Sequence, residues 1–404
     1  MLDRSAVDIL LLDDEPFILK LHARMLSDLG FGSSRAFESG ALALADLNRG
    51  PDPHLILLDL SMPGMDGIQF IKHLVQRNYA GGLVLVSGED KRLLQTAARL
   101  VAAHGLAVVG HLAKPVTPAQ LRPLLEEWER GSGGTRRHPG KLYTREEIEA
   151  GIRNQEMVTH YQPKISIKTG EVVGVESLTR WQHPMDGLVL PGLFIGIAER
   201  SGLIEELTWL TMNQALTDRT DLARAGCPLQ VSINVSASLL TSLEFPGLAA
   251  AATLRASAVP QDIVFEVTES EFIADPRAPL EVLTRLRLMR FGLSIDDFGT
   301  GYSSLSQLRD IPFGELKIDQ SFVHLASSDA TARAIYDASL GLAKNLNMKT
   351  VAEGVEDRPD WDLVRSTECD EAQGYLIARP MPVSDLPGWK EHWLTRRKTE
   401  FGFA

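Results

Sequence analysis

Short apolar runs that stop abruptly at an acidic, amide or lysine side chain recur along this chain, and they limit its fold more than any other feature. In the larger, C-terminal part they are Val173-Gly-Val-Glu176, Val231-Ser-Ile-Asn234, Val264-Phe-Glu266, Leu293-Ser-Ile-Asp-Asp297, Leu316-Lys317, Val351-Ala-Glu353 and Ala372-Gln373. Runs so short and so uniformly apolar fit strands buried on both faces of a parallel sheet, with amphipathic stretches between them as crossover helices. A βα unit takes roughly 30 residues, which suits the spacing of these ends and leaves room for extra helix after Glu176. A closed β/α barrel accounts for the pattern best, because its chemical groups come from the ends of several different strands.

The N-terminal part has the same rhythm on a smaller scale. Val7-Asp-Ile-Leu-Leu-Leu12, His54-Leu-Ile-Leu-Leu58, Leu83-Val-Leu-Val86 and Ala107-Val-Val109 read as parallel strands. Helical spacing over 18–29, 39–47 and 68–76 separates the earlier ones, and a further helix is expected over 118–129. That order predicts a doubly wound α/β sheet, with ligands beyond the carboxyl ends of its strands. Between the two parts, Arg130-Gly-Ser-Gly-Gly-Thr-Arg-Arg-His-Pro-Gly140 has no apolar period and reads as a linker. A helix opens after it at Thr144-Arg-Glu-Glu147, a capping-box pattern. The expected division is a domain at 5–129, a linker at 130–143 and a domain at 144–392, with a poorly ordered tail from Thr395.

Composition restricts the partners. The net charge of −12 argues against a surface made to wrap nucleic acid or to lie on anionic lipid, so an anionic substrate would need local attraction. Cys227 and Cys369 lack metal-ligand spacing and read as buried thiols of a reducing compartment. Residues 1–16 carry acidic groups inside their apolar run, unlike a signal peptide, and no apolar stretch reaches spanning length. The expectation is a soluble cytoplasmic protein without DNA or membrane partners.

Strand ends in the N-terminal part carry Asp13-Asp14, Asp59, Ser87 and Lys114. Singly each is an ordinary loop residue. Together at one sheet edge, the carboxylates repel and invite a divalent cation, beside which Asp59 could attack a phosphoryl donor while Ser87 and Lys114 hold the transferred oxygens. In the C-terminal part five of the strand-end groups are carboxylates, and two such anions about 4 Å apart repel by roughly 4 kcal/mol at an effective dielectric near 20. Oxygen donors without His or Cys point to Mg²⁺ or Mn²⁺ rather than Zn²⁺. The adjacent Asp296 and Asp297 could bridge two ions, as in sites that clamp a phosphoryl displacement. Taken alone, Asn234 would be a turn residue, Lys317 a surface group and Asp296-Asp297 a helix cap; the Gly-rich loop 298–304 is by itself a weak phosphate signal.

The first constellation resembles the response-regulator receiver domain over 5–129. The resemblance implies a flavodoxin-like fold, one Mg²⁺ at Asp13, Asp14 and Asp59, phosphorylation of Asp59, and phosphate sensing by Ser87 and Lys114. It also implies a cognate histidine kinase or phosphotransfer protein as donor. Three residues before Lys114 the family often has Tyr or Phe, where this chain has His111.

The second set resembles the EAL-domain family of cyclic di-GMP phosphodiesterases. It comprises Tyr161-Gln-Pro-Lys164, Glu176-Ser-Leu-Thr-Arg-Trp181, Ile233-Asn-Val-Ser236, Glu266-Val-Thr-Glu269, Asp296-Asp-Phe-Gly-Thr-Gly301, Leu316-Lys-Ile-Asp319, Glu353-Gly-Val-Glu356 and Gln373-Gly-Tyr375. The resemblance implies a modified (β/α)8 TIM-like barrel with one antiparallel strand, two metal ions, hydrolysis to linear pGpG and a homo-oligomer formed through this domain. Glu176, Asn234, Glu266 and Asp296 would hold one ion; Asp296, Asp297 and Glu353 the second. Lys317 would orient or deprotonate the attacking water, with Glu353 and Glu176 completing the catalytic set. Arg180, Gln162 and Gln373 would meet substrate, and Glu269 would anchor loop 298–304. Ser177 stands where the family usually has Ala, and strand alternation turns it away from Glu176.

The resulting expectation is a two-component response regulator that hydrolyses cyclic di-GMP under control of Asp59 phosphorylation. A catalytically inactive relative that only binds the nucleotide and relays it to a partner is the alternative; lost ligands would mark it, and every motif carboxylate, Asn234 and Lys317 are present. A DNA-binding regulator lacks a basic recognition segment, and no GG(D/E)EF-like cyclase segment is visible.

Overall fold

The computed structural model describes residues 4–403 apart from 78, 80, 89–93, 95, 99, 102–105, 134–142, 270–276 and 301–304. The chain divides into two units, Met1–Leu142 and Tyr143–Ala404. Most of the expected linker, and half of the Gly-rich loop after Asp297, therefore lie outside the described residues.

In the first unit, β1 (Asp8–Leu12), β2 (Ser33–Phe37), β3 (Leu55–Asp59), β4 (Gly82–Ser87) and β5 (Ala107–Ala113) form a parallel sheet in the order β2-β1-β3-β4-β5. This is the flavodoxin-like doubly wound arrangement. Alternate residues of each central strand feed two apolar layers: Leu10, Leu12, Ile56, Leu58, Leu83 and Leu85 on one face, Ile9, Leu11, Leu55, Leu57, Val84 and Val86 on the other. Helices α1 (Pro16–Asp28), α2 (Gly40–Leu47) and α3 (Gly67–Gln76) cover the sheet; Ser39 and Asp66 cap the last two. Strand β2 has no counterpart in the sequence reading. Its Ser-Ser-Arg-Ala-Phe is a largely exposed edge, which an apolar-run criterion cannot find. Helix α4 (Pro118–Gly133) runs past the expected stop at Glu129.

The second unit opens with α5 (Arg145–Arg153), whose capping box joins Thr144 and Glu147 as the sequence predicts. The strands are β6 (Met157–Ser166), β7 (Val172–His183), β8 (Gly187–Val189), β9 (Gln230–Asn234), β10 (Ile263–Thr268), β11 (Gly292–Phe298), β12 (Glu315–Ile318), β13 (Lys349–Ala352), β14 (Glu371–Ala372) and β15 (Met381–Pro382). Strands β7 and β9–β14 pair in parallel, and β6 closes the ring by pairing antiparallel with both β7 and β14. The result is an eight-strand TIM-like barrel with one reversed strand, to which β8 and β15 are appended. The interval after β7 holds α6 (Ile195–Ser201) and α7 (Ile204–Arg224), the extra helix that the spacing left room for.

The C-terminal end corrects one expectation. Helix α8 (Arg358–Arg365) and helix α9 (Leu386–Thr399) flank a clasp in which Phe401 lies 4.7 Å from Trp361 and 5.0 Å from Trp393, ring centroid to centroid. Phe401 and Phe403 are buried, and Arg365 hydrogen-bonds the Phe401 carbonyl, so the segment after Thr395 is packed rather than frayed. Among the described residues, no helix is long and apolar enough to cross a membrane.

Candidate active site

The carboxyl ends of the parallel barrel strands bring the predicted groups together. Lys317, buried on β12, is the hub: its Nζ lies 2.7 Å from Glu353 Oε1, 2.9 Å from Glu266 Oε2, 3.0 Å from Asp296 Oδ1 and 3.6 Å from Glu176 Oε2. Glu176 is held from both sides, accepting from Asn234 Nδ2 at 3.0 Å and from Gln373 Nε2 at 2.6 Å. Gln373 Nε2 also donates to Gln162 Oε1 at 3.0 Å, and Gln162 Nε2 to the Ala378 carbonyl at 3.0 Å. Arg180, further along β7, donates to the Thr179 carbonyl at 2.8 Å and lies within electrostatic reach of Tyr375 and Glu176. Ser177 turns aside, as strand alternation requires, and donates to the Ser232 carbonyl.

Burial and crowding set the charges. Glu266 is pushed up to about 8, chiefly by burial. Glu353 is raised well above the usual carboxylate range by burial and by Asp296. Glu176 goes the other way: burial opposes ionisation, but Lys317 and the two amide donors outweigh it. Burial would lower Lys317, yet Asp296 and the glutamates hold its ammonium well above the ordinary range. Asp297, pushed up to about 6 by burial and then by Asp296, takes a left-handed φ of 54°. Glu269 Oε2 accepts from the Gly299 amide at 2.8 Å, and Gly299 itself has a φ of 96°. The loop's described start is thus pinned by Glu269.

Two oxygen-only triads result, Glu176–Glu266–Asp296 and Asp296–Asp297–Glu353, with one oxygen of each member within 4.8 Å of the others. Glu266 Oε1 and Gln373 Oε1 are buried without a hydrogen-bond partner. Clustered anions with an unsatisfied oxygen, and no sulfur or imidazole donor, fit a hard divalent cation.

Sequence reading named three further side chains here only as motif members and gave them no role. Lys164, one alternation below Gln162 on β6, is fully buried; its Nζ donates to Ser232 Oγ at 2.8 Å and Glu315 Oε1 at 3.1 Å, and lies 3.7 Å from Glu266 Oε1. Asp319 and Tyr375 line the pocket with Gln162, Glu176, Asp297, Glu353 and Gln373. Alternation from Lys317 turns Asp319 to the same face; Tyr375 was named in its motif, but the spacing of the strand ends gives no sign that it lines the pocket.

In the first unit, Lys114 Nζ lies 2.7 Å from Asp59 Oδ2 and 2.8 Å from Asp13 Oδ2. Burial lowers its pKa, but the hydrogen bonds to Asp13 and Asp59 outweigh that and raise it. Asp13, Asp14 and Asp59 form a third cluster fit for a hard cation. Ser87 is buried at the end of β4, with its Oγ 3.4 Å from Ser61 Oγ. Ser61 and Glu15, which the sequence did not single out, line this pocket with Asp14, Asp59 and Lys114.

Two family models match the chain: the response regulator receiver domain over residues 9–126, and the EAL domain over 145–380. The protein belongs to the EAL domain family and carries an N-terminal receiver domain. Among its relatives is the cyclic di-GMP phosphodiesterase RocR of Pseudomonas aeruginosa, 34% identical over 380 residues that span 93% of this chain and 96% of RocR. The bifunctional diguanylate cyclase/cyclic di-GMP phosphodiesterase MucR of the same organism is 38% identical over 59% of this chain and 35% of its own length. The MucR phosphodiesterase domain solved with c-di-GMP superposes with a TM-score of 0.58 at 37% identity, covering 60% of this chain and 98% of that one.

Proposed function

We propose that this protein hydrolyses one phosphodiester bond of cyclic di-GMP to give linear pGpG, and that phosphorylation of Asp59 sets its rate. One observation carries the reading: Lys317 stands among four carboxylates that belong to two oxygen-only triads sharing Asp296. That RocR is named a cyclic di-GMP phosphodiesterase, and that the MucR domain was solved with the nucleotide, supports the choice of substrate.

Glu176, Asn234, Glu266 and Asp296 would hold one Mg²⁺ or Mn²⁺, and Asp296, Asp297 and Glu353 a second. Such ions supply charge neutralisation at the phosphate and acidify a water. Lys317, within 3.0 Å of Glu266, Asp296 and Glu353, would orient or deprotonate the attacking water. Glu353, 2.7 Å from Lys317 Nζ, would complete the catalytic set beside the second ion. Gln162 and Gln373 orient substrate and the Glu176 carboxylate, and the Arg180 fork suits a phosphate.

In the receiver, Asp59 takes phosphate from a histidine kinase or phosphotransfer protein, with one Mg²⁺ at Asp13, Asp14 and Asp59. Added charge of about −1.5 to −2 recruits Lys114 and Ser87. The responding element is the segment at Asp297, whose left-handed backbone is held next to the Glu269–Gly299 hydrogen bond. A homo-oligomer formed through the EAL domain belongs to the same proposal.

The test incubates the full chain with cyclic di-GMP and Mg²⁺, Mn²⁺ or Ca²⁺, with and without chelator and with and without beryllofluoride. pGpG formed with Mg²⁺ or Mn²⁺, poorly with Ca²⁺, and altered by beryllofluoride is expected. Intact nucleotide that nevertheless binds would replace this reading with that of an inactive receptor.

A further inference from the structure

We propose that His324, Asp357 and Asp360 form a further metal site of the second unit, apart from the carboxylates of the barrel mouth, and that it takes Zn²⁺. The three side chains come from two segments. His324 follows the helical turn Gln320–Val323, while Asp357 caps α8 and Asp360 lies in the first turn of that helix. One donor atom of each lies within 4.8 Å of the others. Asp360 is 1% exposed, and its two oxygens are unequally served. Oδ2 lies 3.0 Å from His324 Nδ1 and accepts the amides of Glu356 at 3.0 Å and Asp357 at 3.4 Å. Oδ1 of the same carboxylate is buried without a hydrogen-bond partner. A helix cap explains the first oxygen and not the second. A bare buried carboxylate oxygen costs free energy, and a bound cation removes that cost.

The donor set decides the ion. An imidazole nitrogen beside carboxylates suits Zn²⁺, whereas Mg²⁺ takes oxygen donors and keeps several waters. Two donors at about 2.0 Å on a tetrahedral Zn²⁺ stand about 3.3 Å apart. His324 Nδ1 and Asp360 Oδ2, now 3.0 Å apart, need to part only slightly to admit it. Three protein donors leave the fourth position to water. The surroundings favour positive charge here: the hydrogen bond to Asp360, and then the charges of Asp360, Asp357 and Glu356, raise the proton affinity of His324 despite its partial burial. Zn²⁺ takes the place of that proton with twice the charge. The His324 side chain is 50% exposed, which gives the ion a way in. Bound there, it ties the turn after Asp319 to the segment after Glu353, and both of those residues line the pocket.

The experiment titrates Zn²⁺ into the chelator-stripped full chain in excess Mg²⁺, reading bound zinc by competition with a chromophoric chelator and using Co²⁺ as a spectroscopic substitute. The variants are His324→Ala, Asp360→Asn and Asp296→Ala. The last is included because Zn²⁺ also competes for oxygen sites, and Asp296 belongs to both barrel triads. Wild type and Asp296→Ala should each hold one Zn²⁺ that His324→Ala binds at least about 100-fold more weakly, since even an outer partner of a metal ligand is worth about 10- to 100-fold. Asp360→Asn, which keeps an oxygen for the Glu356 amide, should fold and lose the ion likewise. Co²⁺ should give the visible bands of a four-coordinate site in wild type and not in His324→Ala. Zn²⁺ should raise the Tm of wild type and of Asp296→Ala but not that of His324→Ala. No bound Zn²⁺ in wild type, an unchanged zinc affinity in His324→Ala, or loss of the ion in Asp296→Ala alone would overturn the site. A rise in Tm with Zn²⁺ that is equal in wild type and His324→Ala would do the same, leaving His324 as a hydrogen-bonded brace for Asp360.

Discussion

Metal binding to the barrel should release protons, and their number follows from the buried carboxylates. Glu266 is pushed up to about 8 in the metal-free site and Glu353 is raised well above its ordinary range. A carboxyl titrating one unit above the solution pH is protonated by about ten to one, so Glu266 carries about 0.9 proton at pH 7. A cation held by Glu266 must displace it. Calorimetric titration of Mg²⁺ into chelator-stripped protein at pH 7, repeated in buffers of different ionisation enthalpy, should therefore report about one to two protons released, Glu353 supplying the remainder. Glu266→Gln should release about one fewer. Apparent Mg²⁺ affinity should weaken about tenfold per pH unit per displaced proton between pH 8 and 6. Stability of the stripped protein has the opposite sign. A pKa raised in the folded state contributes stability that is complete below the ordinary value of 4.5 and lost as pH rises through about 8. Metal binding without proton release, or with an affinity independent of pH over that range, would refute the charge state assigned to this cluster.

Glu353→Gln and Lys317→Met should each lower kcat at least about 100-fold with KM within a few fold, whereas Arg180→Ala should act mainly on KM, all read from steady-state turnover of cyclic di-GMP. Glu269→Ala, which releases the Gly299 amide, should lower kcat about tenfold in the same assay although Glu269 belongs to neither triad. Asp59→Asn should keep basal hydrolysis and abolish the response to beryllofluoride. Phe401→Ala should destabilise the barrel unit by about 3–5 kcal/mol in denaturant unfolding, the usual loss for a buried ring in an aromatic cluster.

Strand ends were the legible part of this molecule, and the reason is physical. A buried parallel strand leaves a continuous apolar run, and the polar residue that stops it, such as Glu176 or Asp296, is where the sheet meets its ligand. Strand β2 was silent because an exposed edge needs no apolar run. Strand β6 was silent as a run because Gln162 and Lys164 face inward, where the barrel supplies Glu176, Ser232 and Glu315 as partners that only tertiary structure provides. Lys317 was legible as a member of the site, but its grip on four carboxylates was not; that depends on strands far apart in sequence converging on one axis. The order after Thr395 was hidden for a similar reason. Phe401 and Phe403 look like isolated aromatics until Trp361 and Trp393 stand beside them.

Reversing a single strand changes where the polypeptide comes in. In a barrel whose strands all run one way, the first would begin at the floor, away from the working mouth. Here β6 runs against its neighbours, with Met157 opposite Trp181 near the end of β7 and Ser166 opposite Glu371 at the start of β14. The chain therefore enters at the rim. Tyr143, its ring centroid 4.6 Å from that of Trp181 and tilted by 51°, marks that doorway. Tyr143 is thus held at the rim, one helix, α5, away from the strand that carries Gln162. A displacement of Tyr143 reaches the pocket wall without crossing the depth of the barrel.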